Sequence, residues 1–163
     1  ADDLIDADEP CLRQMARAYD ERKGSVLGVQ HVEPQHTDKY GIVAVQELTV
    51  RLSKVERIVE KPKPADAPST LAVVGRYILT PDVFRKLEHI GRGAGGEIQL
   101  TDGIAALMAD EPVYAYAFEG KRFDCGSKLG YLEATVEFAL KHENLGDQFA
   151  AYLARLVANR LRS

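Results

Sequence analysis

The sequence predicts an α/β fold in which strands and helices are interspersed along the chain. Apolar runs of strand type, at 25–32 and 71–79, occur together with segments whose apolar residues recur at helical spacing. No internal repeat or low-complexity tract interrupts this pattern. The 163 residues, of which 45% are hydrophobic and 28% are charged, are sufficient for one globular domain with its own core.

The first predicted helix covers residues 9–22. Asp8 and Pro10 are typical of a helix N-terminus, and Gly24 is placed to end the helix in a left-handed turn. Residues 25–32 follow as a strand. Its apolar residues occupy both alternating sides, which is typical of a central strand covered on both faces.

Further strands are predicted at 40–45, 50–60 and 71–79. A Pro-rich loop at 62–69 separates the last two of them. Within it, Pro62 predicts an extended backbone at Lys61, because the residue before a proline is disfavoured in the helical region.

The second half of the chain predicts more helix than strand. A short helix opens at Pro81, and an amphipathic helix follows the glycine cluster 91–96 in EIQLTDGIAALMAD. Residues 112–120 alternate like a strand. Two helices then close the chain, over residues 127–142 and over a last segment. That last segment has an apolar stripe of Phe149, Leu153, Leu156, Val157 and Leu161.

Composition and charge exclude several classes of function. A formal net charge of -4 argues against a general nucleic-acid binder, since such affinity depends on clustered Lys and Arg. Cys11 and Cys125 signal neither a disulfide framework nor a zinc site, so a reducing, cytoplasmic environment is expected. The apolar runs are too short to span a bilayer, and no membrane partner is expected. A small-molecule ligand fits this composition better.

Carboxylates at the start of the chain and before a turn form the first candidate site. Asp2 and Asp3 are predicted to lie where a strand ends in a loop, and Asp124 precedes a Cys-Gly turn that enters a helix. Carboxylates in such positions can hold Mg²⁺, a hard cation that usually shares its oxygen ligands with substrate phosphates. Helix capping, or plain solvation, is the alternative explanation from the residues alone.

Glu60 and Lys61 end a predicted strand and form the second candidate site. A carboxylate held there can accept hydrogen bonds from sugar hydroxyls, and an ammonium can pair with a phosphate. The alternative is a solvated charge pair at the strand end. Gly41 and Gly75 interrupt strands, which indicates either a close approach of the backbone to a ligand or a bulge.

Six stretches, in order along the chain, carry a resemblance to a known family: ADDLID, KYGIV, VEKPKP, APSTLAVVGRYIL, GAGGEIQLTD and FDCGSKLGYLEA. Together they closely resemble the bacterial UTP-glucose-1-phosphate uridylyltransferases, from the first residue nearly to the last. The segment DCGSKLGY separates this family from the thymidylyltransferases, where the matching segment is more like WLDTG.

The resemblance implies a nucleotide-diphospho-sugar transferase fold, which is α/β with an incomplete Rossmann-like mixed sheet flanked by helices and a C-terminal helical segment. Residues 1–163 would be the C-terminal part of one nucleotidyltransferase domain. The sheet and the sugar-phosphate site would lie in 1–125, and the closing helices in 126–163. Members of the family are homo-oligomers, so a homo-oligomer is expected.

The resemblance also implies roles for the candidate residues. Mg²⁺ would be held by Asp2, with Asp124 close by, and Lys61 would contact the sugar phosphate. Glucose hydroxyls would be contacted by the carboxylate of Glu60 and by backbone at Gly41, Val74 and Gly75. The implied reaction transfers a uridylyl group from UTP to glucose 1-phosphate and gives UDP-glucose and pyrophosphate. Lys61 and Asp2 would carry the catalysis.

One part of the family pattern does not occur in residues 1–163. It is the glycine-rich GxGTRxxPxTxxxPK segment, whose loop wraps the nucleoside triphosphate in the family. The expectation is therefore a truncated chain that carries the sugar-phosphate half of the site and is inactive alone. Two alternatives stay open. One is a non-catalytic sugar-phosphate-binding or oligomerising fragment, and the other is a related sugar-1-phosphate nucleotidylyltransferase with another nucleotide or sugar.

Overall fold

A computed structural model describes residues 2–93 and 96–161 of the chain, and these form two compact units. The larger unit contains residues 7–120. The smaller unit joins the strand that ends at Asp6 to the segment that begins at Lys121. The functional division of the domain expected from the resemblance stays a prediction.

The described strands are β1 (Asp3–Asp6), β2 (Ser25–His31), β3 (Gly41–Glu47), β4 (Leu52–Glu60), β5 (Leu71–Ile78), β6 (Val113–Ala117) and β7 (Lys121–Asp124). The described α-helices are α1 (Cys11–Arg22), α2 (Asp82–His89), α3 (Leu100–Leu107), α4 (Lys128–Leu140) and α5 (Gly146–Arg160). Each helix and strand whose bounds the sequence predicted is present, with ends shifted by a few residues. The predicted glycine cluster 91–96 lies partly outside the described residues.

The strands of the larger unit form a mixed sheet, as predicted, and this sheet closes on itself. Its order is β2-β5-β3-β4-β6, and β6 returns to pair in parallel with β2, whereas the other pairings are antiparallel. Closure depends on the long strand β4, which pairs with β3 along most of its length and with β6 from Leu52 to Lys54. The alternation of apolar and polar residues along the sequence could not predict this closure, since that alternation does not encode which strands pair.

Strand β2 is buried on both faces, as the sequence predicted. On one face, Leu27 and Val29 join a core that includes Ile104 of α3. On the other face, α1 packs closely, and a Cβ added at Gly28 would lie 3.2 Å from the sulfur of the fully buried Met15. Each of these buried side chains contributes about 1.5–3 kcal/mol relative to an exposed one.

The end of α1 differs from the prediction. The left-handed residue is Lys23, with φ of 54°, and not Gly24. The Lys23 N–H donates to the carbonyl of Tyr19 at 2.7 Å, which satisfies one of the carbonyls left unpaired at a helix end. Glycine is favoured at such a position, but in this chain the left-handed conformation falls on Lys23, the residue directly before Gly24.

In the smaller unit, the prediction that a strand ends at Asp2 is wrong. Asp2 precedes β1, which pairs antiparallel with β7. The register runs from Asp3 opposite Asp124 to Asp6 opposite Lys121. No separate signal predicts β7, because its four residues follow closely on β6 and resemble part of the same strand.

Helix α4 packs on this two-stranded ladder through small residues rather than through its most apolar face. Its N-terminus is capped by the Ser127 hydroxyl, which accepts from the N–H of Gly130 at 3.0 Å. Ala134 is buried, and the ring of Phe138 lies 6.0 Å from the ring of Phe123 between centroids. The large apolar side chains of Leu129, Leu132 and Leu140 on α4 are exposed.

Helix α5 also keeps much of its apolar stripe in contact with solvent. Phe149 and Leu153 are half-buried, whereas Leu156, Val157 and Leu161 are exposed. Within the described part of the chain, no helix combines the length and the apolar character needed to cross a membrane.

Candidate functional site

The larger unit carries a carboxylate held at the end of a strand. Glu60 is the last residue of β4, directly opposite Gly41 of β3, and its side chain is 17% exposed. The hydroxyl of Thr101, in α3, donates to Glu60 Oε2. A Cβ added at Gly41 would lie 3.5 Å from that oxygen and 3.3 Å from Thr101 Cγ2. The pairing of β3 with β4 therefore brings Gly41, Glu60 and Thr101 into one cluster.

The backbone of Lys61 adopts a left-handed conformation, with φ of 43°, so the expected extended backbone is wrong. Its N–H donates to the carbonyl of Tyr40 at 3.0 Å, which continues the β3–β4 pairing one residue beyond Glu60. This hydrogen bond holds Lys61 in a conformation that costs a non-glycine residue about 1–2 kcal/mol. Such strain is found most often at ligand and active sites.

The Lys61 ammonium is available to an anion. Its side chain is 59% exposed, and Nζ lies 3.7 Å from Glu60 Oε1. An exposed ion pair of this kind contributes at most about 1 kcal/mol to stability, so a ligand phosphate can compete for the ammonium. Glu60 and Lys61 thus present an acceptor and a cation side by side.

Tyr77 of β5 lies near enough to Glu60 to be affected by its charge. Burial raises the pKa of the Tyr77 hydroxyl above its ordinary value, and the negative charge of Glu60 raises it further. The hydroxyl therefore stays protonated at neutral pH and can donate a hydrogen bond. The sequence analysis did not identify Tyr77 or Thr101 as candidates, since the segments that contain them show only strand or helix periodicity.

Val74 and Gly75 are candidates to contact a ligand through backbone atoms rather than through side chains. The side chain of Val74 is buried, and Gly75 has φ of 67°. The register between β2 and β5 shifts at this point, so the bulge offered as the alternative for Gly75 is present. A Cβ at Gly75 would meet nothing within 4 Å, which leaves open space beside this exposed backbone.

The smaller unit brings Asp2 and Asp124 together around Gly126. A Cβ added at Gly126 would lie 2.6 Å from Asp2 Oδ2 and 3.1 Å from Asp124 Oδ1. The N–H of Gly126 donates to that same Asp124 oxygen at 3.1 Å, and the N–H of Cys125 donates to the Asp2 carbonyl at 2.8 Å. Only glycine therefore leaves room for both carboxylates.

This pair of carboxylates fits Mg²⁺. Mg²⁺ binds through one or two carboxylates and completes its octahedral shell with water and substrate phosphates. Among residues 2–93 and 96–161, no group of three or more His, Cys, Asp or Glu side chains forms a complete metal cage. An open cavity of about 370 Å³ adjoins the turn, lined by Cys125, Gly126, Ser127, Lys128, Tyr131 and Leu132. Two neighbouring carboxylates match this mode of binding, and Gly126, which both of them adjoin, also lines the cavity.

The sequence profile described as Nucleotidyl transferase matches residues 1–141. The chain therefore belongs to the nucleotidyl transferase family.

Within this family, the chain is similar to uridylyltransferases. It is 47% identical over 158 residues to UTP-glucose-1-phosphate uridylyltransferase 2 of Staphylococcus saprophyticus, covering 97% of this chain and 55% of that protein. It is 44% identical over 156 residues to the UTP-glucose-1-phosphate uridylyltransferase of Bacillus subtilis, covering 96% and 53%. The chain thus spans about half the length of the curated relatives that it matches.

A solved structure agrees with these relatives. A UDP-glucose pyrophosphorylase complexed with UDP-glucose superposes with a TM-score of 0.82 at 40% identity. The match covers 86% of this chain and 54% of that one. The predicted resemblance and the predicted α/β fold are confirmed.

We predict that Thr101→Val lowers the free energy of unfolding by about 1 kcal/mol, because Glu60 loses a hydrogen-bond donor while the shape of the side chain is kept. Thr101→Ser retains the hydroxyl and should recover most of this loss. Urea denaturation of the three proteins measures the difference. Equal stability of Thr101→Val and the unsubstituted chain would show that water replaces the hydroxyl at no cost.

Proposed function

We propose that the protein containing this chain transfers a uridylyl group from UTP to glucose 1-phosphate, giving UDP-glucose and pyrophosphate. A phosphate oxygen of glucose 1-phosphate attacks the α-phosphorus of UTP, and pyrophosphate leaves. Residues 1–163 carry the sugar-phosphate side of this reaction. The names of the relatives favour uridine and glucose over another nucleotide or sugar.

The arrangement around Glu60 carries this proposal. Its carboxylate is kept in place by Thr101, and open backbone lies at Gly75. Glu60 accepts hydrogen bonds from glucose hydroxyls, and backbone at Gly41, Val74 and Gly75 contacts other hydroxyls. A site built this way discriminates among sugars, because a wrong epimer leaves buried polar groups without partners.

Lys61 binds the phosphate of glucose 1-phosphate in this proposal. Its exposed ammonium and its fixed, left-handed backbone support the role. Pairing the ammonium with the phosphate orients the attacking oxygen and offsets the repulsion between two anionic substrates. Both effects belong to the alignment and charge stabilisation on which such a transfer depends.

Asp2 and Asp124 hold Mg²⁺ in this proposal. The Gly126 turn, which leaves room for both carboxylates, supports the assignment. When bound, Mg²⁺ neutralises negative charge on the phosphates. Free thiols at Cys11 and Cys125 are compatible with a reducing compartment, and we propose a cytoplasmic location.

We predict that the chain binds glucose 1-phosphate and that Lys61→Ala weakens this binding by about 10- to 100-fold, since a charge-assisted hydrogen bond is worth about 1.5–3 kcal/mol. Titration followed by NMR measures the dissociation constant. Lys63→Ala is the matched control, because it removes one exposed positive charge two residues away and should leave the affinity within about twofold. Equal losses in the two variants would reduce the role of Lys61 to general surface charge.

We also predict that residues 1–163 alone do not catalyse the uridylyl transfer. The nucleotide-wrapping segment implied by the resemblance does not occur among them. Loss of that positioning should lower the rate by several powers of ten from the roughly 10 per second typical of enzymes. Pyrophosphate release from UTP, glucose 1-phosphate and Mg²⁺ measures it. A rate within about tenfold of the typical value would contradict the prediction.

A second candidate function, self-association, is favoured by the exposed side chains of α5. Leu156, Val157 and Leu161 continue the stripe begun by Phe149 and Leu153 into solvent. Contiguous apolar surface of this kind marks interaction sites in folded proteins. We propose that it contacts a second copy of the chain in a homo-oligomer.

Light scattering on the purified chain tests this association. We predict a dimer or larger species that Leu153→Glu combined with Leu156→Glu converts to monomer, because two buried carboxylates would face apolar surface. Val50→Glu is the control, since Val50 is fully exposed in the β3–β4 turn and lies outside the stripe. A monodisperse monomer before any substitution would rule out the interface.

A further inference from the structure

A buried threonine lies in the segment that leads into β3. Thr37 belongs to a 3-10 helix over Pro34–Lys39, and it is only 1% exposed. Burying a hydroxyl is unfavourable unless the group is hydrogen-bonded. The Thr37 hydroxyl meets this requirement, because it donates to the carbonyl of Pro34 at 3.0 Å. The side chain therefore ties the middle of this helix to its first residue.

Thr37 also contacts the end of the same helix. Its carbonyl accepts the N–H of Tyr40 at 3.4 Å, and Tyr40 leads into β3 in an extended conformation, with φ of -133°. A 3-10 helix of six residues is longer than usual, because the hydrogen bonds of this helix type have poorer geometry than those of an α-helix. One residue thus supports both ends of a helix that needs such support.

The carbonyl of Tyr40 links this helix to Lys61. It accepts the Lys61 N–H at 3.0 Å, one residue beyond the pairing of Gly41 with Glu60. Lys61 has φ of 43°, a conformation that residues with a side chain rarely adopt. The hydrogen bond to a fixed carbonyl keeps Lys61 in it. The direction of the Lys61 side chain therefore depends on where the carbonyl of Tyr40 lies.

The chain after Lys61 returns to the same helix. A second 3-10 helix, Pro64–Asp66, packs against the Pro34–Lys39 helix. The turn at Lys61 is thus supported twice, by the Tyr40 carbonyl at Lys61 itself and by this packing three residues later. A shift of the Pro34–Lys39 helix would move both supports together.

We propose that Thr37 is a positioning residue for the Lys61 ammonium. Because Thr37 is buried, it acts through the Tyr40 carbonyl that keeps Lys61 left-handed, and not by contact with a ligand. The inference rests on the proposed function, in which Lys61 binds the phosphate of glucose 1-phosphate. An ammonium aimed in advance binds a phosphate more tightly, since less conformational freedom is lost on binding.

Titration of the ¹⁵N-labelled chain with glucose 1-phosphate tests the proposal. Thr37→Val keeps the size of the side chain and removes its hydroxyl, so it should raise the dissociation constant about three- to tenfold. Thr37→Ser retains the hydroxyl and should bind within about twofold of the unsubstituted chain. In a Lys61→Ala background, Thr37→Val should change the affinity by no more than about twofold, because the group that it positions is absent. An equal loss in both backgrounds would show that Thr37 supports only the fold in general.

Hydrogen exchange gives a readout at Lys61 itself. The Lys61 amide should be protected in the unsubstituted chain and should exchange about tenfold or more faster in Thr37→Val. Amides of β2, which pairs with a strand on each side, should keep their protection. A role in global stability alone predicts instead that both sets of amides lose protection together.

Thr49→Val is the matched control. It also removes a threonine hydroxyl next to the β3–β4 pairing, but at the opposite end, where Thr49 Oγ1 accepts the N–H of Leu52 at 3.0 Å. Both the affinity for glucose 1-phosphate and the exchange rate of the Lys61 amide should stay within about twofold of the unsubstituted chain.

The outcomes separate this inference from the proposed function. If the unsubstituted chain does not bind glucose 1-phosphate, or Lys61→Ala binds it equally well, the phosphate role of Lys61 is wrong and the role of Thr37 with it. If Lys61→Ala weakens binding and Thr37→Val does not, only the role of Thr37 is overturned. If Thr37→Val loses its folded spectrum, Thr37→Ser and the unsubstituted chain decide the matter. A folded Thr37→Ser with weak binding, or an unprotected Lys61 amide in the unsubstituted chain, contradicts the proposal.

Discussion

The antiparallel pairing of β3 with β4 is the constraint on which the sugar-phosphate side of the molecule depends. It sets Gly41 opposite Glu60 and is extended one residue further by the hydrogen bond from Lys61 to Tyr40. Because this pairing fixes the backbone at the end of β4, the carboxylate meets Thr101 and the ammonium remains exposed. A slip of one residue would turn both side chains to the opposite faces of the strand.

In the smaller unit, the pairing of β1 with β7 is the corresponding constraint on side-chain positions. It brings residues 3–6 into register with residues 121–124, and the turn after Asp124 then admits Asp2 beside it only because residue 126 is glycine. Negative charge accumulates at this end of the ladder, and the buried Arg122 offsets part of it through Asp3. Acidic groups held this close favour a cation, since it removes their mutual repulsion.

The helices of the smaller unit have less apolar burial than their sequences suggest. Helix α4 meets the ladder through Gly130 and Ala134, so its leucines are left in solvent, and α5 exposes three of the five side chains of its stripe. Small residues allow a close approach of helix to strand, and this fixes which face is buried. The exposed apolar surface that results is the physical basis for the proposed self-association.

The sequence by itself determined the α/β class, the family and the helices and strands other than β1 and β7, and it pointed to the candidate residues. Local periodicity and short sequence motifs are enough to predict these features, because both can be recognised without knowing which strands pair. Only the tertiary structure decided that the sheet closes, that Lys61 is left-handed, that Thr101 contacts Glu60 and that Tyr77 lies near it. Those features depend on hydrogen bonds and contacts between residues distant in sequence, and no local pattern encodes such contacts.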